Sequence, residues 1–209
     1  MEDVLTVYAR PYDAAFPVVC FDEAAKQILS EMREPLSMAA GQVRRVDNEY
    51  VREGTAALLM AFEPLAGKRS VFVRERRTAR EFAQVIRLLL EQMYPEAIKV
   101  VLVLDNLNTH GPHSLYEAFA PETAKRLCER IEWHFTPRHG SWLNIAEIEL
   151  SVLARQCLSE RMESQEHLER MVAAWQTRRN AAKVRVDWHF TIDDARVKLK
   201  RLYPKLLAS

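Results

Sequence analysis

Three acidic residues stand where the surrounding pattern makes them conspicuous. Asp22 follows the apolar run Phe16 to Phe21 (FPVVCF), and Asp105 follows Ile98 to Leu104 (IKVVLVL). Each is the first acid past a buried strand, so each projects from a strand terminus. Glu147 belongs to a helical stretch opened by Ser141. At about 100° per residue, Leu143, Ala146, Leu150, Leu153, Ala154, Cys157 and Leu158 form one stripe there, with Glu147 inside it and Glu149 outside. A carboxylate facing a core is costly without a cation or metal beside it. Glu147 therefore meets either an inward arginine or a metal ion, and an Asp after a strand also serves as an ordinary turn residue. Three convergent carboxylates suit divalent-metal phosphoryl transfer. Oxygen ligands favour Mg²⁺ or Mn²⁺, and two ions about 3.5–4 Å apart stabilise both the attacking and the leaving oxygen. On that reading Asp22 bridges the two ions, while Asp105 and Glu147 each bind one.

Such side chains need a sheet whose strand ends share an edge. Glu49 to Phe62 and Ser70 to Arg74 are β-prone and are interrupted by Gly54, Pro64 and Gly67, which predicts antiparallel strands joined by turns. Thr78 with Glu81 three residues on reads as a capping box. It opens a helix whose Phe82, Val85, Ile86, Leu89 and Leu90 recur at helical spacing, and which ends near Tyr94 and Pro95. Ile98 to Leu104, continuously apolar and β-branched, predicts a central strand covered on both faces. A helix over 113–130, a strand over 131–135 and helices over 141–158, 164–182 and 191–203 complete the chain. The result is a mixed α/β domain in which strands and helices alternate in the second half, placing strand carboxyl ends where open α/β folds bind ligands.

Composition narrows the function classes. With 209 residues and 48% hydrophobic content the chain buries one sizeable core, expected over about 15–160, followed by a helical tail over 161–209. Cys20, Cys128 and Cys157 form no C-x-x-C pair, which fits a reducing compartment. Glu2 and Asp3 follow Met1, and no apolar run approaches the roughly 20 residues a bilayer demands, so no membrane association is expected and the location is cytoplasmic. No Walker or dinucleotide glycine motif occurs, and Ser141 lacks a nucleophile-elbow context, which argues against ATP, NAD and serine-hydrolase chemistry. His110 and His113 lack a third ligand at matching spacing, so zinc is not expected.

Net charge is +1, which by itself gives no warrant for nucleic acid, but the charge is unevenly spread. Residues 68–80 carry Lys68, Arg69, Arg74, Arg76, Arg77 and Arg80 against Glu75 alone, and residues 178–205 carry nine Lys or Arg against three Asp. Such patches are either solvated faces or phosphate neutralisers. From the first, Arg74, Arg76 and Arg77 are candidate DNA contacts. Arg138, His139 and Ser141 precede the Glu147 helix, whose N-terminus favours a phosphate. Trp142 either stacks on a displaced base or packs in the core, and Trp175 and Trp188 read as packing residues. Asn106 and Asn108 serve either the active-site loop or an ordinary turn, and His110 falls beside the metal site or scissile phosphate.

The segments VVCFDE (18–23), VREGTAALL (51–59), LVLDNLNTHGP (102–112) and FTPRHGSWLNIAEIELSVL (135–153) closely resemble the DDE transposases of the bacterial IS630 group, relatives of the Tc1/mariner transposases. The ending WHFTIDDARVKLKRLYP (188–204) is similar to theirs, so the likeness covers nearly the whole chain. It implies an RNase H-like core whose acidic triad is Asp22, Asp105 and Glu147, with Asn106, His110 and Asn144 as supporting residues. It also implies Mg²⁺-dependent cleavage at terminal inverted repeats, joining to target DNA commonly at TA dinucleotides, pairing of two ends and hence a homodimer, and a bacterial, nucleoid-associated location. Two departures stand out. The second and third acids are separated by 41 residues (147 − 105 − 1), a longer spacing than Tc1/mariner relatives typically carry. Only 21 residues precede Asp22, where the family normally carries helix-turn-helix modules. A separately encoded DNA-binding partner is one reading of that departure. A catalytically silent DNA-binding fragment and an RNase H-like nuclease without strand transfer are the competing functions.

Overall fold

One strand, β2 (Tyr50–Glu63), requires a layer on each side of the sheet. Its Ala56, Leu58, Met60 and Phe62 point to one face and Ala57, Leu59 and Ala61 to the other, and all seven are buried. The computed structural model describes residues 1–31, 50–138 and 140–203, so Glu49, His139 and Lys205 lie outside the described residues. Five strands are ordered β3-β2-β1-β4-β5, with β1 spanning Val18–Glu31, β3 Lys68–Arg74, β4 Val100–Leu104 and β5 Ile131–Phe135. Pairing is antiparallel for β1 with β2 and β2 with β3, and parallel for β1 with β4 and β4 with β5.

Helices cover both faces. The first face carries α1 (Glu2–Tyr8), α5 (Ile145–Gln156), α6 (Gln165–Ala181) and α7 (Ile192–Lys198), whose Val4, Leu150, Leu153, Trp175 and Ala195 join Cys20, Val101 and Val103. The second carries α2 (Ala79–Leu88), α3 (Pro112–Ala118) and α4 (Pro121–Glu129), whose Phe82, Ile86, Leu115 and Leu127 pack on Val19, Phe21, Leu102 and Leu104. All of β4 is buried, as its apolar run predicts. The mixed five-strand sheet flanked by helices is the expected α/β architecture, with a helical C-terminal portion.

Several expectations need correction. β1 does not stop at Phe21; it runs to Glu31, and Asp22 lies within it, because pairing with β2 continues after pairing with β4 has ended. Its polar second half predicts no strand on its own; the β2 partner creates it. Gly54 does not break β2 but sits at a bulge, where the register passes from Ile28↔Gly54 to Leu29↔Arg52. The helix expected over 113–130 is two helices, since Pro121 is the first residue of α4 and cannot continue a preceding turn. Thr78 caps α2 through its hydroxyl, but Glu81 turns to Arg74 instead of closing the box.

The C-terminal helices belong to the core. Gln176 Oε1 accepts from Val71 N (2.7 Å), and Asn180 exchanges two bonds with the Arg69 backbone, accepting from its N (2.9 Å) and donating to its O (2.8 Å). Side chains of α6 thus stand where a sixth strand would pair with β3.

Candidate active site

The parallel pairing Val18↔Val101, Val19↔Leu102 and Cys20↔Val103 has a constant offset of 83. Continued two positions, it sets Asp22 level with Asp105, just past the end of the parallel ladder between β1 and β4. Asp22 shares the parity of Cys20 and so faces the layer containing α5. Its carboxylate is 8% exposed; Oδ1 accepts from Glu23 N (2.7 Å) and Oδ2 from Asn144 Nδ2 (3.3 Å).

Asn144 fastens α5 to that point. It is the N-cap: Oδ1 accepts from Ala146 N (3.2 Å), while Nδ2 also donates to Phe21 O (2.8 Å). From α1, Tyr8 donates its hydroxyl hydrogen to Leu143 O (2.7 Å), steadying the 3₁₀ turn Ser141–Leu143 that precedes the cap. Glu147 is therefore in the first turn of α5, exposed and turned out beside Asp22.

The expected stripe is buried at Leu143, Ala146, Leu150, Leu153, Cys157 and Leu158 but not at Ala154, and the place expected for Glu147 within it needs correction. The helix opens at Asn144, not Ser141, and the fully buried acid is Glu149, 1% exposed. Arg179 holds Glu149 through two hydrogen bonds (Nε to Oε1 2.7 Å, Nη2 to Oε2 3.0 Å). Arg69 Nε approaches Oε1 to 2.8 Å as an ion-pair contact without hydrogen-bond geometry. The inward-arginine reading is thus realised at 149, while Glu147 stays free of the core. Arg69, counted in the basic run, is fully buried and not available to phosphates.

Electrostatics tie the three acids together. Burial pushes the Asp22 carboxyl up, the Glu23 N–H pulls it down, and the negative charges of Asp105 and Glu147 add to the rise, leaving a pKa of about 6. The carboxylates feel one another but do not close into one ligand sphere: among the described residues no group of three His, Cys, Asp or Glu is ready to hold a metal ion.

Behind Asp105 lies His110, whose side chain is fully buried. Its Nδ1 bonds Asp105 Oδ1, and its Nε2 lies 3.0 Å from Glu23 Oε1. Burial pulls the imidazole down, but the bonds to Asp105 and then Glu23 outweigh it and carry the pKa up to about 9. The ring packs on Phe82 (centroids 4.9 Å) and Phe21 (5.4 Å). Glu23 was not singled out from the sequence. Strand parity puts it on the face opposite Asp22, and its one signal is its place in the D-E pair. His113 faces elsewhere, with Nε2 on Asn108 O (2.6 Å), so the two histidines share no site.

The remaining candidates gather at the same end of the sheet. Met60 pairs with both Asp22 and Val71, and Arg74 ends β3 three positions beyond Val71. Arg76 and Arg77 follow in an exposed connector; Arg74 is engaged with Glu81 (3.0 Å). β5 ends level with Leu104, and exposed Arg138 follows it. Trp142 is 39% exposed, set edge-on to Phe190, so it is not a core residue; Trp175 is buried, and Trp188 packs on Tyr8 as expected. Asn106 is exposed just past Asp105. Of the basic C-terminal stretch, Arg179, Arg196 and Lys198 are engaged with Glu149, Glu2 and Asp194.

A three-layer domain with acids level at the end of its parallel β1–β4 ladder has the RNase H-like architecture. The family model described as DDE superfamily endonuclease matches residues 17–169, and the chain belongs to that family. The fold is shared with the crystal structure of the Mos1 mariner paired end complex with Mn, at 16% identity and a TM-score of 0.53, covering 87% of this chain and 56% of that one. It is shared also with the Mos1 Strand Transfer Complex (15%, 0.55, covering 87% and 54%) and with the mariner Mos1 paired end complex with Mg (18%, 0.54, covering 97% and 60%). The chain thus spans between 54% and 60% of the length of these structures. A comparison with curated proteins finds no match. Among the described residues, no helix is long and apolar enough to cross a membrane.

Proposed function

We propose that this chain is the catalytic domain of an IS630-type DNA transposase, in which Asp22, Asp105 and Glu147 hold Mg²⁺ or Mn²⁺, two ions in all, for cleavage and joining of DNA at transposon ends. The observation that carries the reading is the level placement of Asp22 and Asp105 on adjacent parallel strands, with Glu147 near enough to help raise the Asp22 pKa. The donor set fits the metal. All three groups are hard oxygen ligands, and a divalent cation would offset the repulsion by Asp105 and Glu147 that helps raise the Asp22 pKa. When bound, such ions activate a water or 3′-hydroxyl nucleophile and stabilise the leaving oxygen.

The chain's own residues set the stage. Asn144 fixes the distance between Asp22 and the Glu147 helix. Arg76, Arg77 and Arg138 offer cations to backbone phosphates at the same end of the sheet, where Arg74 stands paired with Glu81, and Trp142 presents a ring to a base. His139 belongs to the same segment but lies outside the described residues. The Mos1 structures are paired end and strand transfer complexes; for this chain the corresponding partners are transposon-end and target DNA and a second copy of itself.

The test is nicking of supercoiled plasmid with Mg²⁺ or Mn²⁺ beside Asp105→Asn. Metal-dependent nicking lost in the variant supports the assignment; no nicking by either protein in the presence of a DNA-binding partner identifies a silent fragment. Joined products with a 3′-hydroxyl donor separate strand transfer from simple hydrolysis.

A further inference from the structure

Asp105 lies just past the end of β4, where the sheet's hydrogen-bond ladder no longer holds it, yet it must keep one geometry relative to Asp22. Its first oxygen is engaged by His110 Nδ1, and the far side of that ring is engaged by Glu23 Oε1 at 3.0 Å. Glu23 neighbours Asp22 on β1 but points to the opposite face, so it reaches the acidic cluster only through the imidazole. The two side chains are nearly sealed from solvent, 0% and 2% exposed. Phe82 from α2 packs tilted against the ring and Phe21 from β1 meets it edge-on. A backbone bond from His110 N to Leu107 O (2.9 Å) closes the intervening loop.

Resting on the reading of this cluster as a metal centre, we propose that Glu23 and His110 form a positioning pair: Glu23 orients His110, and His110 holds Asp105 Oδ1 so that the second carboxyl oxygen is presented toward Asp22. The pair ties the loop after β4 to β1 across the sheet. It is built from the residues flanking each ligand in the chain's own pattern, D-E on one strand and D-N-x-x-x-H after the next. Outer-shell partners of this kind fix ligand orientation and typically change metal affinity by about 10–100-fold when removed.

Two isosteric replacements separate the two bonds. In His110→Asn the amide nitrogen stands near the Nδ1 position and still reaches Asp105; in His110→Gln it stands near Nε2 and reaches Glu23 alone. Mn²⁺ is titrated into DNA-free protein and the free ion is followed by its electron paramagnetic resonance signal, with thermal melts run on the same samples. We expect His110→Gln to lose about 10–100-fold in Mn²⁺ affinity and His110→Asn to recover most of that loss. A purely packing role lowers the melting temperature of both variants alike and leaves the affinity of the folded protein unchanged. A cooperatively folded His110→Gln that binds Mn²⁺ like the parent overturns this inference alone, whereas a parent protein with no Mn²⁺ affinity overturns the metal-centre reading as well. Should His110→Gln not fold, Glu23→Ala replaces it: weakened binding supports the pair, and parental affinity overturns it.

Discussion

Asp22 and Asp105 stand level across the junction of β1 and β4, one inside a long strand and one just beyond a short one. Their equivalence comes from a parallel register that stops two residues short of them. The exposed Glu147 arrives at this point from the first turn of α5 and, with Asp105, helps raise the Asp22 pKa.

Asp22→Asn should stabilise the metal-free protein. The folded-state pKa of Asp22 is raised, so its contribution is fully present below about pH 4 and is lost as pH climbs through about 6. The variant and the parent should therefore melt together near pH 4 and diverge above it, with an advantage to the variant on the order of 1–3 kcal/mol at pH 7. Melting in EDTA across that range checks it. Added Mg²⁺ should reverse the order by stabilising the parent alone.

Metal affinity should rise with pH for the same reason. A ligand must shed its proton to bind, so Mn²⁺ affinity of the parent should increase steeply as pH passes through about 6 and then level off. Titrations at several pH values measure this directly; a flat profile would remove Asp22 from the ligand set.

Glu147 and Glu149 should behave as opposites. Glu149→Ala strands Arg69 and Arg179 in a buried site and should cost about 3–5 kcal/mol by denaturant unfolding. Glu147→Ala removes an exposed acid from a negative cluster and should leave stability within about 0.5 kcal/mol of the parent while abolishing nicking.

Asn144→Ala should damage both properties at once. It removes the α5 cap and the amide donor to Phe21 O and Asp22 Oδ2, a loss of about 1–3 kcal/mol. Activity should fall further than stability explains, because the link between Asp22 and the Glu147 helix is gone; nicking rates measured well below the melting temperature separate the two effects.

Much of this was legible from residue order. The unbroken apolar run of β4 announces a strand covered on both faces and delivers Asp105 at its end, and the helices expected over 164–182 and 191–203 are present as α6 and α7. What failed did so for tertiary reasons. The polar half of β1 is a strand because β2 lies beside it, not because of its own pattern. The apolar stripe on α5 holds, with Leu143, Ala146, Leu150, Leu153, Cys157 and Leu158 buried, but the acid that joins it is Glu149 and not Glu147, because a buried arginine pair makes a core glutamate tolerable at 149. Periodicity detects apolar faces; it has no means of seeing a counter-charge 80 residues upstream, where Arg69 lies (149 − 69 = 80). Glu23 was invisible for a related reason, since its value lies in reaching His110, 87 positions away.

The amide side chains of Gln176 and Asn180 give the outermost strand a border that is not itself a strand. Both lie past residue 169, where the family match ends. A fragment trimmed to that match would carry β3 with bare N–H and C=O groups along its rim, and such a rim recruits whatever extended segment it meets. The last third of α6 therefore acts as a hem: without it, the sheet is open to growth from one neighbour to the next.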